Sequence, residues 1–203
     1  MYKLIRLTRK IIVGLSMFRL IPHWIIFNIN SQKSVLKYDV MRWLAIIRQD
    51  KKYGIQSGFL YLMTFLPEFR NLFYYRIRIF TSVLKCLCRP MNTLFIGAKK
   101  EIGPGLFIQH GLATIIAAES IGKDCWINQQ VTIGYSNDTD CPIIGNNVAI
   151  MAGAKVIGKV YIGNNSIVGA NAVVVKNVPE NCTVVGVPAY IVRKNGNKTK
   201  ENL

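Results

Sequence analysis

One histidine lies in a stretch where its side chain could act as a base. His110 is one of only two histidines in the 203-residue chain, among small and branched apolar residues in LFIQHGLATIIAAES. A neutral imidazole has a pKa of about 6.5, so it can remove a proton from a hydroxyl during attack at working pH. An isolated histidine can equally be buried and hydrogen-bonded to a backbone carbonyl. Both interpretations stay open for His110, whereas His23, in LIPHWIIF, is predicted to be structural.

A sixfold repeat in the C-terminal half predicts the fold that positions His110. An aliphatic residue, in one case replaced by threonine, recurs with a period of six at Ile96, Ile102, Ile108, Thr114, Ile121, Ile127, Ile133, Ile144, Ile150, Val156, Ile162, Val168 and Val174. Helices repeat at about 3.6 residues and simple strands alternate at about 2, so neither explains this period. The repeat predicts a parallel β-helix with inward aliphatic residues. A β-sandwich would instead show turns about every 8 to 12 residues without a fixed phase.

The period breaks at two places. It slips by one residue after Thr114, directly following the His110 turn, and the segment YSNDTDCP (135–142) must loop out of the coil. Insertions in solenoid proteins often carry the functional site. These two breaks therefore indicate where function resides.

The N-terminal part is predicted to be helical. Up to about residue 89 the sixfold pattern is absent, and VLKYDVMRWLAIIRQD and FRNLFYYRIRIFTSVLKCLC carry apolar residues at three- and four-residue spacings. Both segments are typical of amphipathic helices. We predict an α+β chain with a helical domain over 1–91, a β-helix with one extended loop over 92–193, and a polar basic tail over 194–203.

The charge of the chain indicates an anionic partner. The sequence holds 26 basic and 10 acidic residues, a formal net charge of +16. A phosphate-rich cofactor, an anionic membrane or an acidic glycan would each account for it, whereas nucleic acid is not expected because the usual binding signatures are missing. Basic and apolar residues interleave in the first twenty positions, which fits a membrane-surface helix or a packed helix with a solvated basic edge. The uncharged run 11–18 is too short to span a bilayer.

The cysteines predict neither disulfides nor a metal centre. The five residues form no CxxC pair, and no histidine is close enough to complete a zinc set. Unpaired thiols fit a reducing compartment. We therefore expect a cytoplasmic protein without a metal, with peripheral contact at the inner face of the membrane as an open alternative.

Several motifs together resemble one enzyme family. The sixfold repeat, the His110 turn, VTIG (131–134), MAGAKVIG (151–158) and IVGANAVVVKNVPENCTVVGVPAYIVR (167–193) resemble the serine acetyltransferase branch of the left-handed β-helix acyltransferases, from about Phe65 onward. The resemblance implies an acetyl-CoA-dependent O-acetyltransferase with His110 as general base and direct transfer in a ternary complex. It also implies a homotrimer, or two trimers paired through the N-terminal helices.

The resemblance further implies the residues of the site. Small residues would line the path of the pantetheine arm of the cofactor: Gly134, Ala152, Gly153, Gly169, Ala170 and Ala172. Arg193 and Lys194 would meet its phosphates. The acidic partner of the family's histidine falls at about Phe95, which cannot serve, so Glu119 is the second catalytic candidate, with a backbone carbonyl as an alternative orienter of the imidazole.

The acceptor is predicted from departures from the family pattern. Serine acetyltransferases place an aspartate before the histidine and an Arg-His pair before the proline of the loop, and the matching positions here are Gln109, Asp140 and Cys141. A zwitterion would lose its charge partners at these positions, at a cost of about 2 to 5 kcal/mol for each buried one. Because the CP and QHG sequences resemble colanic-acid-type acetyltransferases, we expect a sugar hydroxyl of a surface or capsular polysaccharide, or of its lipid-linked precursor. The alternative acceptor is serine, and the alternative function is that of a non-catalytic trimeric scaffold.

Overall fold

The computed structural model describes residues 2–78 and 80–203, and within the first helix it describes the side chains of residues 8, 11, 12, 14 and 16–29. The chain divides into two compact units, Met1–Met91 and Asn92–Leu203. The first unit is helical, and the second is built of short strands.

The described residues of the first unit form five helices. They are α1 (Tyr2–Ile29), α2 (Lys33–Ile46), α3 (Ile55–Phe65), α4 (Pro67–Ile77) and α5 (Thr81–Leu87). At the start of α4, Pro67 takes the first position and Glu68 lies in the first turn, where unpaired N–H groups favour an anion. In the part of the chain that the structure describes, no helix combines the length and the apolar character needed to cross a bilayer.

Aromatic side chains form the centre of the helical unit. The rings of Phe27 and Phe59 stack with centroids 4.3 Å apart, and Phe73 packs against Phe59 from α4. A buried ion pair joins α2 to α4, with Arg76 Nε donating to Asp39 Oδ2 at 2.9 Å. Because both charges are removed from water, their attraction and hydrogen bonds offset part of the cost of burying them.

His23 is part of this helical core. It is fully buried, and its Nε2 lies 2.9 Å from the hydroxyl of Tyr74. That hydroxyl donates to the carbonyl of Cys88 at 2.6 Å, so the imidazole is the donor to Tyr74. Burial lowers the pKa of His23, which favours the neutral ring. The structural role predicted for His23 agrees with this environment.

The second unit is a left-handed parallel β-helix of about five coils, as predicted. Its strands are β1 (Leu94–Ala98), β2 (Phe107–Ile108), β3 (Thr114–Ala118), β4 (Ser120–Ile121), β5 (Trp126–Ile127), β6 (Thr132–Gly134), β7 (Ile143–Ile144), β8 (Ala149–Ile150), β9 (Lys155–Ile157), β10 (Tyr161–Ile162), β11 (Ile167–Val168), β12 (Val173–Val174), β13 (Cys182–Val185), β14 (Tyr190–Lys194) and β15 (Asn197–Asn202). One face has the order β1-β3-β6-β9-β12, the second has β10-β7-β4, and the third has β15-β14-β13-β11-β8-β5-β2.

The residues of the sixfold repeat form the core of the coil. From Ile102 to Val174 every predicted inward position is at most 4% exposed. On one face Ile127, Ile150 and Val168 pair in register on neighbouring strands, so their side chains form a continuous apolar column. This column buries apolar surface along the whole length of the coil.

The break in the period lies within the His110 turn itself. Ile108 is in register with Ile127, and Ile116 is in register with Ile133. Eight positions therefore separate Ile108 from Ile116, whereas six separate Ile127 from Ile133. The predicted slip after Thr114 is therefore wrong in place, because strand pairing adds two residues to the corner that holds the histidine. Only five positions then separate Ile116 from Ile121, so the net gain up to Ile121 is the one residue predicted.

The segment 194–203, predicted as a polar basic tail, forms a strand. β15 pairs antiparallel with β14, which itself pairs antiparallel with β13. Asn195 and Gly196, with φ of 50° and 81°, make the turn between β14 and β15. Two successive positive φ values suit a tight hairpin, and Asn-Gly is the sequence that adopts them most readily.

Candidate active site

His110 lies in the widened corner between β2 and β3. Its φ is 65° and that of Gly111 is 51°, so two successive residues adopt the left-handed region. This region is uncommon for residues with a side chain, although histidine is among those enriched there. His110 itself is exposed. His110 is therefore accessible to a ligand, in contrast to the buried His23.

A short hydrogen-bond chain contacts the imidazole. Trp126 Nε1 donates to Gln109 Oε1 at 3.2 Å and to Asn128 Oδ1 at 2.7 Å. Gln109 Nε2 lies 3.3 Å from His110 Nε2. The Trp126 ring is held by an edge contact with Phe107, with centroids 4.8 Å apart. These hydrogen bonds therefore link His110 to the packed face of the coil.

The hydrogen bonds from Trp126 through Gln109 select one tautomer of the His110 imidazole. An indole N–H can only donate, so the carbonyl oxygen of the Gln109 amide faces Trp126. The amide nitrogen of Gln109 must then face His110, and it donates to Nε2. Nε2 therefore carries the lone pair and Nδ1 carries the proton. An accessible ring nitrogen with a lone pair is the state that a general base requires, and His110 is an exposed residue.

Glu119 lies in a separate charged cluster at the base of the extended loop. Its carboxylate is 3.2 Å from Lys100 Nζ and 3.7 Å from Lys99 Nζ, and it accepts from Cys141 Sγ at 3.8 Å. The hydrogen bond from Lys100 lowers the pKa of Glu119. Lys99 Nζ also donates to the carbonyl of Thr139 at 2.6 Å. The described contacts of Glu119 are thus with the loop and two lysines, and Gln109 is the residue that contacts the imidazole.

Asp140 stabilises the loop that carries it. Asn137 Nδ2 donates to Asp140 Oδ2 at 2.9 Å, and the backbone N–H groups of Thr139 and Asp140 donate to Asn137 Oδ1 at 2.9 and 2.8 Å. The ammonium of Lys99 lies 5.2 Å from the centroid of the Tyr135 ring, at the start of the loop. The loop predicted at 135–142 is therefore present between β6 and β7 and is cross-linked by its own polar groups.

Four of the predicted cofactor residues lie at one corner of the coil. Ala152 and Gly153 turn the chain between β8 and β9, and Gly169 and Ala170 turn it between β11 and β12. The N–H of Asn171 donates to the carbonyl of Ala152 at 2.9 Å, which stacks the two turns. Gly153 has φ of 73°, and a Cβ there would meet the Asn171 side chain. Packing within the coil is therefore a sufficient reason for glycine at 153.

The remaining cofactor candidates differ in accessibility. Ala172 is 0% exposed, so its methyl group faces the coil interior and cannot line an external path as predicted. Gly134 is also buried, at the end of β6. Arg193 and Lys194 are exposed in β14. Lys194 Nζ donates to Glu201 Oε2 at 3.0 Å, whereas Arg193 lines an open groove on this face.

A cavity that the sequence did not indicate lies beside the last coil. Its volume is about 510 Å³, and its lining includes Val175, Lys176, Val187, Pro188 and Tyr190. The GVPA sequence could have pointed to it, because this motif turns the chain at the cavity.

The chain matches known proteins over part of its length. Residues 141–176 match the family described as bacterial transferase hexapeptide (six repeats). The serine acetyltransferase of Synechococcus elongatus is 36% identical over 129 residues, which cover 62% of this chain and 53% of that enzyme. That of Staphylococcus xylosus is 43% identical over 124 residues, covering 57% of each. The chain thus spans about half the length of the curated relatives it matches.

A solved structure shares the fold. The crystal structure of serine acetyltransferase from Brucella abortus strain S19 aligns with a TM-score of 0.66 and 27% identity. The alignment covers 84% of this chain and 73% of that one. The likeness therefore extends beyond the coil into the helical unit, since the coil alone is Asn92–Leu203.

The relatives overturn the predicted sugar acceptor, because their names are those of serine acetyltransferases. The residues on which the sugar prediction rested are engaged within the chain. Asp140 is bonded within its loop, Gln109 is bonded to Trp126 and His110, and Cys141 contacts Glu119. The resemblance itself is confirmed: the chain is a hexapeptide-repeat β-helix protein similar to the serine acetyltransferases.

Proposed function

We propose that this chain transfers the acetyl group of acetyl-CoA to the hydroxyl of L-serine, with His110 as the general base. The observation that carries the proposal is the exposed imidazole of His110, which Gln109 holds with the lone pair on Nε2. The acceptor rests on the relatives, which are named serine acetyltransferases. The donor is supported by a related serine acetyltransferase from Brucella abortus whose structure was solved in complex with coenzyme A.

The chemistry needs one base and no covalent intermediate. His110 Nε2 takes the proton of the serine hydroxyl as the hydroxyl oxygen attacks the thioester carbon of acetyl-CoA. The carbon–sulfur bond then breaks, the imidazolium returns the proton to the departing thiolate, and the products are O-acetylserine and free CoA. A positioned general base contributes a factor of about 10² to 10⁴ to such a reaction. The hydrogen bond from Gln109 is long, so an incoming hydroxyl can replace it at Nε2.

Small residues at the coil corner are our candidates for the cofactor path. Ala152, Gly153, Gly169 and Ala170 allow a thin pantetheine arm to approach the backbone closely. Arg193 is our candidate for a phosphate contact, because the ammonium of Lys194 is already paired with Glu201.

We further propose that this path is completed by a neighbouring copy in a homotrimer. The corner residues lie on the surface of a single coil, where one wall alone would leave the arm exposed to water. Light scattering of the purified protein should give the mass of a trimer or of a multiple of three. A stable monomer with full activity would contradict this assembly.

The charged cluster at the loop suits a zwitterionic acceptor. Lys99 and Glu119 present charges of opposite sign, and each keeps part of its side chain exposed, 39% and 24%. We propose that Lys99 meets the carboxylate of serine and Glu119 its ammonium. These groups would replace the aspartate and arginine that the family pattern provides at the positions of Gln109 and Asp140.

Replacement of His110 tests the role of the base. His110→Ala should lower thiol release from acetyl-CoA in the presence of L-serine at least about a hundredfold without changing the oligomeric mass. Lys123→Ala, at an exposed position of the same coil, is the matched control and should retain activity. An unchanged rate for His110→Ala would refute the assignment, and no acetyl-CoA turnover by the wild type would favour a non-catalytic scaffold.

A direct comparison of acceptors tests serine. Turnover with L-serine should exceed turnover with O-methylserine, which lacks the hydroxyl proton, and with serine methyl ester, which lacks the carboxylate. Use of the ester as readily as serine would refute carboxylate recognition while leaving the acetyl transfer intact. Absence of serine turnover at millimolar concentration, with thiol release restored by another hydroxyl compound, would refute the proposed acceptor.

A further inference from the structure

We propose that the outer face of α1 binds the surface of an anionic lipid bilayer. This inference is independent of the acetyl transfer, because it concerns residues of the helical unit alone. It rests on three features of that unit: a row of exposed apolar side chains, the packing of the opposite side of the helix, and the distribution of charge.

The outer face of α1 carries large apolar side chains in a line. Phe18, Ile21, Ile25 and Ile29 are 83%, 45%, 45% and 74% exposed. Their spacings of three and four residues place them on one side of the helix, and Ile11, two turns before Phe18 and 53% exposed, lies on the same side. From Ile11 to Ile29 the row is about 27 Å long at 1.5 Å per residue.

The opposite side of α1 is already used. Leu20, His23 and Phe27 are each 0% exposed and pack into the helical core. A helix that is apolar on both sides is normally covered on both sides. An exposed row of large apolar side chains marks an interaction surface.

Trp24 flanks the exposed row. Its ring is 41% exposed, and its Nε1 donates to Gln56 Oε1 at 2.7 Å. A half-exposed indole with its N–H satisfied is suited to the boundary between headgroups and acyl chains. Trp24 is also a spectroscopic reporter at the surface in question.

The charge of the chain is concentrated in the same unit. Met1–Met91 holds sixteen basic and three acidic residues, a net charge of +13, whereas Asn92–Leu203 holds ten basic and seven acidic residues, a net charge of +3. The first acidic residue of the sequence is Asp39, and it is buried against Arg76. The seven basic residues before it are therefore not interspersed with acidic residues, which is typical of segments that bind anionic lipid.

Charge decides between the partners that could cover this face. A second copy would bring another unit of net charge +13 against the first, and like charges oppose that contact. Nucleic acid would attract the charge but would leave the apolar row in water. An anionic bilayer satisfies both features, because lipid headgroups attract the basic residues while the row enters the interface.

Sedimentation with vesicles tests the proposal on the intact chain. The protein should sediment with vesicles of phosphatidylglycerol and phosphatidylcholine, and binding should fall strongly with neutral phosphatidylcholine alone or at high salt. The double variant Phe18→Ser/Ile25→Ser should bind at least about tenfold more weakly, because two anchors of the row are lost. Tyr161→Ser, which removes an exposed apolar side chain of the β-helix, is the matched control and should bind like the wild type.

Fluorescence and mass measurements separate the alternatives. Brominated lipid should quench Trp24, and Trp24→Phe should remove most of that quenching. The proposal would be overturned if the double variant bound anionic vesicles as strongly as the wild type, or if the wild type did not bind them. A double variant whose oligomer is half the wild-type mass in the absence of lipid would show instead that the row joins two copies. None of these readouts uses acetyl-CoA, so their failure would not bear on the enzymatic proposal.

Discussion

Replacement of Gln109 tests whether its amide sets the tautomer of the catalytic imidazole. The amide nitrogen of Gln109 is 3.3 Å from His110 Nε2, at the long end of the range for a hydrogen bond. A neutral bond of this kind contributes about 0.5 to 1 kcal/mol. Gln109→Leu should therefore shift the tautomer ratio about two- to fivefold toward the proton on Nε2 and lower kcat/KM by a similar factor.

The variant Gln109→Glu should have a larger effect than Gln109→Leu. A carboxylate can only accept, so it favours the tautomer with a proton on Nε2, or the imidazolium, and both lack the lone pair that the mechanism uses. Activity at neutral pH should fall below that of Gln109→Leu and recover as the pH is raised. Trp126→Phe should act in the direction of Gln109→Leu, because the indole N–H is what orients the amide.

Nitrogen-15 NMR of the two histidines measures this effect without reference to activity. The chain has only His23 and His110, so His110→Ala assigns both rings. The His23 signals are the internal control and should not move, because His23 is buried against Tyr74 in the other unit. Unchanged His110 shifts in Gln109→Leu, or full activity of Gln109→Glu at neutral pH, would refute the role of the amide.

Three further predictions concern stability and acceptor binding. Arg76→Met should lower the free energy of unfolding by about 3 to 5 kcal/mol, measured by urea denaturation, because it removes a charged partner of the buried carboxylate of Asp39; a stability equal to wild type would refute the importance of the pair. Gly153→Ala should cost about 1 to 3 kcal/mol, because its φ is 73° and its Cβ would meet Asn171; a neutral outcome would mean that the corner relaxes. Lys99→Ala should raise KM for serine with little change in KM for acetyl-CoA, and an equal rise in both would refute selective recognition of the carboxylate.

The fold could be predicted because a solenoid is specified locally. Each inward residue, such as Ile127 or Val168, is followed at a fixed interval by the next, so the period alone identifies the core. Corner residues such as Asn147 and Asn165, with φ of 54° and 58°, reinforce the same period in the sequence. The packing of the helical unit could not be predicted in the same way. Its apolar spacings predict helices, but they do not predict the pairing of Asp39 with Arg76.

The site was predicted less completely, because it depends on contacts between coils. The presence of His110 at a turn is visible in the sequence, but the two residues that widen this turn follow from how β2 pairs with β5 and β3 with β6. The link from Trp126 to Gln109 joins residues seventeen positions apart, which no local pattern indicates. The burial of Ala172 and the use of Asp140 within its own loop likewise depend on the folded coil.

The hairpin of β14 and β15 has a consequence for self-association. A parallel β-helix ends in a coil whose backbone N–H and C=O groups could pair with another chain, which is the route to fibres. Here the last parallel strand of one face, β13, is covered by β14, and the outermost strand, β15, carries Lys198 and Lys200 along its edge. Removal of residues 195–203 would expose β14 as a new edge, and we expect that shortened coil to form linear aggregates that the full chain resists.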